Sequence, residues 1–111
     1  MATTTTEYGN VSVLTVNGEL TVDTIETFTQ KSSECLAKRH FDAIIDCSSL
    51  TQIDSVGMEA LVDMLKACED ELGAVKLCGA DETTRKILEI TRLDRRFEMY
   101  ENLEAAVQSF A

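Results

Sequence analysis

The sequence predicts a single α/β domain over residues 1–111, with a mainly parallel sheet of about four to five strands and about four helices. Three observations lead to this prediction. Short apolar runs occur at 11–16, 41–47 and 74–78, and a stretch of helical periodicity follows each of them. Such alternation favours right-handed crossovers and a parallel sheet covered by helices. A chain of 111 residues with 44% hydrophobic residues suits one domain.

The first forty residues contain one clear strand and one helix. The threonine-rich start, residues 1–6, fits either a frayed end or an edge strand. Val11–Val16 is rich in β-branched residues and ends at Asn17-Gly18, which predicts a strand and a turn. Asp23 and Glu26 have the spacing of a capping box and predict the start of a helix of about four turns. Its buried face is predicted from residues at helical spacing, namely Ile25, Phe28, Ser32, Cys35 and Leu36.

The remaining chain continues the alternation of strand and helix. Phe41–Cys47 is a buried strand, and the second helix begins at Asp54-Ser55 and stops near Gly73. Its predicted buried stripe is Met58, Leu61, Val62, Leu65, Cys68 and Leu72. The further predicted elements are a strand at Ala74–Cys78, a helix opening at Asp81 with Ile87, Leu88 and Thr91, a strand at Phe97–Tyr100, and a closing helix with Leu103, Ala106, Val107 and Phe110.

Charge and composition narrow the class of partner. The net charge is −10 and divides equally, since residues 1–55 hold 8 acidic and 3 basic side chains and residues 56–111 hold 12 and 7. Binding to nucleic acid or to an anionic membrane surface would be repulsive, so neither is expected. The start lacks the pattern of a signal peptide, and no apolar run reaches the roughly 20 residues of a membrane span. We therefore expect a cytoplasmic protein.

Common catalytic and metal-binding patterns are missing from the sequence. The glycines form neither a P-loop nor a G-x-G-x-x-G turn, and the acidic pairs fall on predicted solvated helix faces. The single histidine, His40, is expected to be exposed near a helix end rather than part of a Ser–His–acid triad. The four cysteines are Cys35, Cys47, Cys68 and Cys78, and none of them forms a C-x-x-C pair. We expect them to be small core residues with free thiols, which favours a reducing compartment. We expect no catalytic residue, no metal and no cofactor.

Asp54-Ser55 is the one site that stands out. Asp and Ser are favoured at a helix N-cap because their oxygens accept a backbone N–H, and this explanation is sufficient for both residues. A serine there is also well placed for phosphorylation, because a phosphate would meet free N–H groups and the favourable end of the helix dipole. The added charge of about −1.5 to −2 would leave the helix intact while opposing a partner docked on the same surface.

Several segments of the chain together resemble the STAS domain of bacterial anti-sigma factor antagonists. They are Gly18-Glu19-Leu20, residues 44–50, Ile53-Asp54-Ser55-Val56-Gly57-Met58, residues 84–94, Phe97–Tyr100 and Leu103–Val107. The order of these segments is specific, and they cover nearly the whole chain. The resemblance implies a small STAS domain without enzymatic activity.

The resemblance also implies a regulatory cycle. The unphosphorylated antagonist binds a serine-kinase anti-sigma factor and frees the sigma factor. The kinase then uses ATP to phosphorylate the antagonist, and a PP2C-type phosphatase resets it. The phosphoserine of the family's Asp-Ser-Ser/Thr-Gly motif matches Ser55, and the nucleotide belongs to the kinase. The implied partner surface is the start of the second helix with the Gly18–Asp23 and Ser48–Gln52 loops, represented by Asp54, Val56, Gly57, Met58, Thr21, Asp23, Ser49 and Gln52.

Two departures from the family pattern bear on docking. Val56 replaces the common second Ser or Thr, which removes an alternative phosphoacceptor, and Thr21 stands where many members have an acid. Met58 fits either an apolar anchor beside Ser55 or a core residue of the helix stripe. Two other function classes stay open. One is a STAS scaffold in a lipid-transport or signalling assembly, with Ser55 only a cap. The other is a small enzyme with Cys47 or Cys78 as nucleophile.

Overall fold

The computed structural model describes residues 2–111 and contains two sheets and four α-helices over that range. The strands are β1 (Thr3–Tyr8), β2 (Val11–Val16), β3 (Gly18–Leu20), β4 (Asp42–Asp46), β5 (Leu50–Ile53), β6 (Ala74–Cys78) and β7 (Glu98–Tyr100). The helices are α1 (Ile25–Ala37), α2 (Ser55–Asp70), α3 (Glu82–Ile90) and α4 (Leu103–Gln108), with a 3-10 turn at Leu93–Arg95.

The larger sheet confirms the predicted fold class. Its strand order is β1-β2-β4-β6-β7, with β1 antiparallel to β2 and every other neighbouring pair parallel. The threonine-rich start thus forms an edge strand from Thr3 onward, whereas Met1 lies outside the described residues. Each new parallel strand is added on the same side of the last one. The strand order never reverses, so the sheet has no switch-point crevice of the kind that binds ligands in open α/β folds.

The sheet separates two apolar cores because successive side chains of a strand point to opposite faces. Leu14 and Val16 of β2 belong to the larger core, which packs against α1, α2 and α3. Val11 and Val13 of the same strand belong to a smaller core beneath α4. The larger core is therefore mostly aliphatic, with Phe28 and Phe97 as its buried aromatic side chains.

The second sheet was not predicted. Residues 18–23 and 48–52 were expected to be loops, but β3 and β5 pair in parallel within them, with Gly18↔Leu50 and Leu20↔Ile53 as partners. The Gly18 N–H also donates to the Ser49 carbonyl at 2.9 Å. These strands are short, and their pairing joins positions about thirty residues apart, so local sequence carries no signal for it. The ribbon they form leads directly into the N-terminus of α2.

The predicted start of α1 is wrong by one residue. The N-cap is Thr24 rather than Asp23, and it makes no side-chain capping bond. Its hydroxyl instead donates to the Glu19 carbonyl at 2.8 Å and accepts the Thr21 N–H at 3.0 Å. Asp23 is left exposed before the helix, so the capping box with Glu26 does not form.

The predicted buried stripe of α2 needs two corrections. Leu72 lies beyond the helix, is 97% exposed and has a left-handed φ of 65°. Met64, which was not predicted, is buried with Leu61, Leu65 and Cys68. Met58 and Val62 are half-buried at the margin of the stripe. The stripe is therefore rotated toward Met64, because α2 packs against both α1 and β6.

Gly73 also acts differently from the prediction. Leu72, not Gly73, is the left-handed residue that ends α2, and the Gly73 N–H donates to the Cys68 carbonyl at 2.8 Å. A Cβ on Gly73 would overlap the carbonyl oxygen of Phe41. Glycine is therefore required here by the close approach of a neighbouring segment.

Candidate functional site

Ser55 is the first residue of α2, and its side chain is exposed. The preceding strand β5 ends at Ile53, so one residue, Asp54, connects the buried strand to the helix. Ile53 is buried in the larger core and holds this junction in place. The serine hydroxyl therefore lies at a rigidly positioned helix N-terminus on the protein surface.

Asp54 makes two side-chain hydrogen bonds, one with each carboxylate oxygen. Oδ1 accepts the Gly57 N–H at 2.9 Å, which is the predicted N-cap bond. Oδ2 accepts the N–H of Val22 at 2.9 Å, in the turn between β3 and α1. These backbone donors, Gly57 first and Val22 next, lower the pKa of Asp54 below its ordinary value. The carboxylate thus joins two segments that meet beside Ser55.

Gly57 permits this junction to close. It is buried, and a Cβ on it would overlap the carbonyl oxygen of Leu20 in β3. The same carbonyl accepts the N–H of Asp54 at 3.3 Å. Gly57 was predicted as a partner-binding residue, but its position shows that it lets α2 approach β3.

An open apolar hollow of about 290 Å³ lies next to Ser55. Ser55, Met58, Glu59 and Val62 line it from one face of α2, at helical spacing. Thr91 and Leu93 line it from the segment after α3. Met58 packs against the larger core and also lines the hollow. Its role as an apolar anchor for a partner stays a prediction. The contribution of the α3 segment was not predicted, because nothing in local sequence places it near Ser55.

The other predicted partner residues differ in exposure. Asp23, Ser49 and Gln52 are exposed, and Val56 is half-buried. Thr21, in contrast, is only 5% exposed; its hydroxyl accepts the Asp23 N–H at 3.3 Å. Thr21 therefore presents almost no surface to a partner.

Val22 was not among the predicted partner-binding residues. Its backbone N–H is bonded to Asp54, and the residue is 63% exposed. A lone apolar residue between polar turn residues was the available signal for it.

The thiols do not form a nucleophilic site. All four cysteines are buried and free. Desolvation raises the pKa of Cys47 and of Cys78 to about 12 and that of Cys68 to about 11, and it raises the pKa of Cys35 as well. A thiol with a raised pKa and no access is inert, so the structure argues against the alternative in which Cys47 or Cys78 is a nucleophile.

His40 is half-buried rather than exposed, and it does not complete a triad. Its Nδ1 lies 3.0 Å from Ser12 Oγ and 3.5 Å from Glu7 Oε1, so both contacts fall on the same ring nitrogen. A triad needs the serine and the acid on opposite nitrogens, and Ser12 is only 1% exposed. Within residues 2–111, no group of three or more potential metal ligands is assembled. Of the helices in this range, none has the length and apolar character that a membrane crossing requires.

The model of the STAS domain family matches residues 2–106 of the chain. The chain belongs to the STAS domain family. The TM1081 homolog of Thermotoga neapolitana, provisionally named as an anti-sigma factor antagonist, is 27% identical over 100 residues, which are 89% of this chain and 88% of the relative.

Solved STAS structures have the same fold. An anti-sigma factor antagonist from Mycobacterium paratuberculosis superposes with a TM-score of 0.88 and 26% identity, over 97% of this chain and 92% of that one. The Bacillus cell fate determinant SpoIIAA in its phosphorylated form gives a TM-score of 0.80 at 20% identity, over 99% of this chain and all of that one. The chain thus has the STAS fold of the anti-sigma factor antagonists.

Proposed function

We propose that this chain is an anti-sigma factor antagonist that works by partner switching. Its unphosphorylated form binds a serine-kinase anti-sigma factor, and phosphorylation of Ser55 by that kinase ends the binding. A PP2C-type phosphatase restores the unphosphorylated form. The observation that carries the proposal is the exposed Ser55 at the N-terminus of α2, where it lines an open apolar hollow. The STAS relatives named as antagonists support the same function.

The proposed docking surface is revised from the sequence prediction. It comprises Ser55, the hollow at Met58, and the exposed Val22 and Asp23, with Ser49 and Gln52 along the β3–β5 ribbon. Thr21 and Gly57 are left out as contact residues because both are buried. Asp54 and Val56 lie partly exposed between these parts. An apolar centre rimmed by polar residues is typical of a protein-binding surface.

Phosphorylation would change this surface more than it changes the fold. A phosphate on Ser55 would stand at the positive end of the α2 dipole, so the helix tolerates it. The same phosphate would bring about two negative charges next to Asp54, Glu59 and the apolar hollow. A partner seated there would have to desolvate that charge, at a cost of several kcal/mol. We therefore expect phosphorylation to weaken binding about 100-fold or more.

The proposed cycle needs no cofactor and no catalytic group in this chain. ATP would be held by the kinase, so the switch would operate in the cytoplasm. The larger sheet lacks a switch-point crevice, and the four cysteine thiols of the chain are buried, which is consistent with a binding role.

The decisive experiment is intact mass spectrometry after incubation with ATP and a candidate kinase. Wild type should gain one phosphate, and Ser55→Ala should gain none. Ser33→Ala is the matched control, because it removes an exposed serine hydroxyl of α1 outside the proposed docking surface and should still gain one phosphate. An unmodified wild type, with a kinase proven active on another antagonist, would contradict the proposal for that kinase. Stable kinase binding without phosphate transfer would favour a STAS scaffold in which Ser55 is only a helix residue.

A further inference from the structure

We propose that Asp54 positions the docking surface by holding Val22 beside Ser55, and that it does so through a carboxylate oxygen separate from the one that caps α2. This inference rests on the proposed function, because it assigns a task within the same surface. Asp54 is thereby a positioning residue, and Val22 is the contact residue that depends on it.

The hydrogen bonds of the turn before α1 support this assignment. Thr21 and Thr24 bond to each other through backbone and hydroxyl groups at 3.0 Å, and Asp23 N–H donates to the Thr21 hydroxyl at 3.3 Å. These bonds shape the turn but stay within it. The Val22 N–H instead donates to Asp54 Oδ2 at 2.9 Å, across 32 positions of the chain. This bond ties the turn to the start of the phosphoacceptor helix.

The exposure of Val22 indicates what the hydrogen bond from its N–H to Asp54 does. An isopropyl group that is 63% exposed contributes little to the core, yet its backbone is anchored to a carboxylate. Anchoring the turn before the partner arrives reduces the conformational entropy lost on binding. An apolar side chain presented in this way suits a partner protein with an apolar recess, and the apolar hollow lined by Ser55 and Met58 offers that partner a second apolar contact.

An Asp54→Asn substitution separates the two tasks of the residue. The Gly57 and Val22 N–H groups donate to different carboxylate oxygens, and an asparagine replaces one of those oxygens by an NH2 donor, so one of the two N–H groups loses its acceptor. The Gly57 N–H is fixed within α2, whereas Val22 lies in a turn, so we expect the oxygen to stay on Gly57. Asparagine is as favourable as aspartate at an N-cap, which leaves the helix start intact. The variant should therefore fold normally and lose only the tie to Val22.

The first measurement is amide exchange by NMR on the isolated protein, which needs no kinase. In Asp54→Asn, exchange at Val22 should accelerate by about tenfold while exchange at Gly57 stays within about twofold of wild type. Asp81→Asn is the matched control, because Asp81 caps α3 through the Thr84 N–H and does not contact the 21–24 turn. Unchanged exchange at Val22 would overturn the proposal.

The second measurement is a double-mutant cycle for binding to the kinase. Asp54→Asn and Val22→Ala should each weaken binding about tenfold, and the double variant should also lose about tenfold rather than a hundredfold. Asp81→Asn should bind as wild type does. If the losses of binding free energy in the two single variants add up fully in the double variant, or if Asp54→Asn binds the kinase as wild type does, Asp54 does not position Val22. Either result would leave the proposed partner switching intact. No binding by wild type to any active kinase would overturn the proposed function, and the role of Asp54 with it.

Discussion

Gly57 and Gly73 are examples of glycines that the fold requires for space rather than for a left-handed turn. In each case a Cβ would overlap a carbonyl oxygen, of Leu20 and of Phe41 respectively. The left-handed positions that end α1 and α2 are instead occupied by Arg39 and Leu72. Gly57, two residues after Ser55, is therefore a packing residue of the junction between β3 and α2.

Gly57→Ala is predicted to destabilise the protein by about 1–3 kcal/mol, because the added methyl group overpacks the contact between α2 and β3. Urea unfolding followed by circular dichroism measures the change. Ser55→Ala is the control, since it alters an exposed side chain two residues away and should stay within about 0.5 kcal/mol of wild type. Equal stability of Gly57→Ala and wild type would show that the junction can relax.

Leu72→Gly is predicted to stabilise the protein by about 0.5–1 kcal/mol. Leu72 has a left-handed conformation, which costs a leucine roughly 1–2 kcal/mol and which a glycine adopts freely. Part of this gain is lost because glycine has a greater conformational entropy in the unfolded state. Little burial is lost, because Leu72 is 97% exposed. The urea midpoint should rise without a change in slope. Leu65→Ala is the contrasting variant, because Leu65 is buried in α2 and its truncation should lower the free energy of unfolding by about 2–5 kcal/mol. A lower free energy of unfolding in Leu72→Gly would contradict the prediction.

At the scale of elements, α4 is held to the sheet by a buried lysine. Lys76 of β6 is only 6% exposed. Its Nζ donates to Ser109 Oγ at 2.8 Å and to the Ser109 carbonyl at 3.3 Å, and it lies 4.0 Å from the centre of the Phe110 ring. The ammonium thus binds the chain just after α4, where unpaired carbonyls and the negative end of the helix dipole favour a cation. A helix of one and a half turns needs such an attachment.

Lys76→Ala is predicted to loosen α4 and to destabilise the protein by about 2–3 kcal/mol, because charged hydrogen bonds and a cation–π contact are lost. Cys78 lies in the core beneath α4, so its alkylation rate reports undocking. That rate should rise in Lys76→Ala and stay at the wild-type value in Lys86→Ala, an exposed lysine of α3. Equal rates in all three proteins would show that apolar packing alone holds α4.

At the scale of the whole molecule, the candidate site lies where β5 leads into the N-terminus of α2, at the end of the β3–β5 ribbon. The strand order proceeds in one direction, so the helix N-termini share one edge and no crevice opens between diverging connections. The candidate site combines the ribbon, the turn before α1, the start of α2 and the open hollow that the segment after α3 helps to line. A net charge of −10 adds a preference for a basic partner face.

The acidic composition also predicts how stability responds to pH. The pKa values of Asp54 and Asp81 lie below the ordinary 3.8, chiefly because backbone N–H groups of Gly57 and Thr84 bind the carboxylates. A carboxyl with a lowered pKa in the folded state stabilises the protein above its unfolded pKa, and this contribution disappears as pH falls through the folded value. We therefore expect stability to fall below about pH 4.

Unfolding experiments between pH 7 and pH 2 measure this dependence. Asp81→Asn should show a shallower fall in stability than wild type, because its cap no longer titrates. Glu82→Gln is the matched control, since it removes an exposed acid next in sequence that makes no capping bond in α3. Identical acid profiles of Asp81→Asn and wild type would show that the cap does not contribute to the pH dependence.

Much of the fold follows from local signals. The β-branched run of Val11–Val16 and the helical spacing of Leu61, Leu65 and Cys68 predicted their elements correctly, because each depends on neighbours within one or two turns. The cap at Asp54 was equally predictable, since it bonds three residues ahead. The start of α1 was missed because the Thr24 hydroxyl bonds backward to Glu19 instead of forward into the helix.

The sequence by itself determined the alternation of the helices with the parallel strands of the larger sheet and the presence of a serine at the start of α2, because these depend on residues close together in the chain. Tertiary structure alone decided what surrounds that serine. The pairing of β3 with β5, the bond from Asp54 to Val22 and the hollow lined in part by Leu93 all join segments about thirty residues apart or more. Such contacts depend on which faces meet when the sheet is assembled, and local propensity carries no information about them.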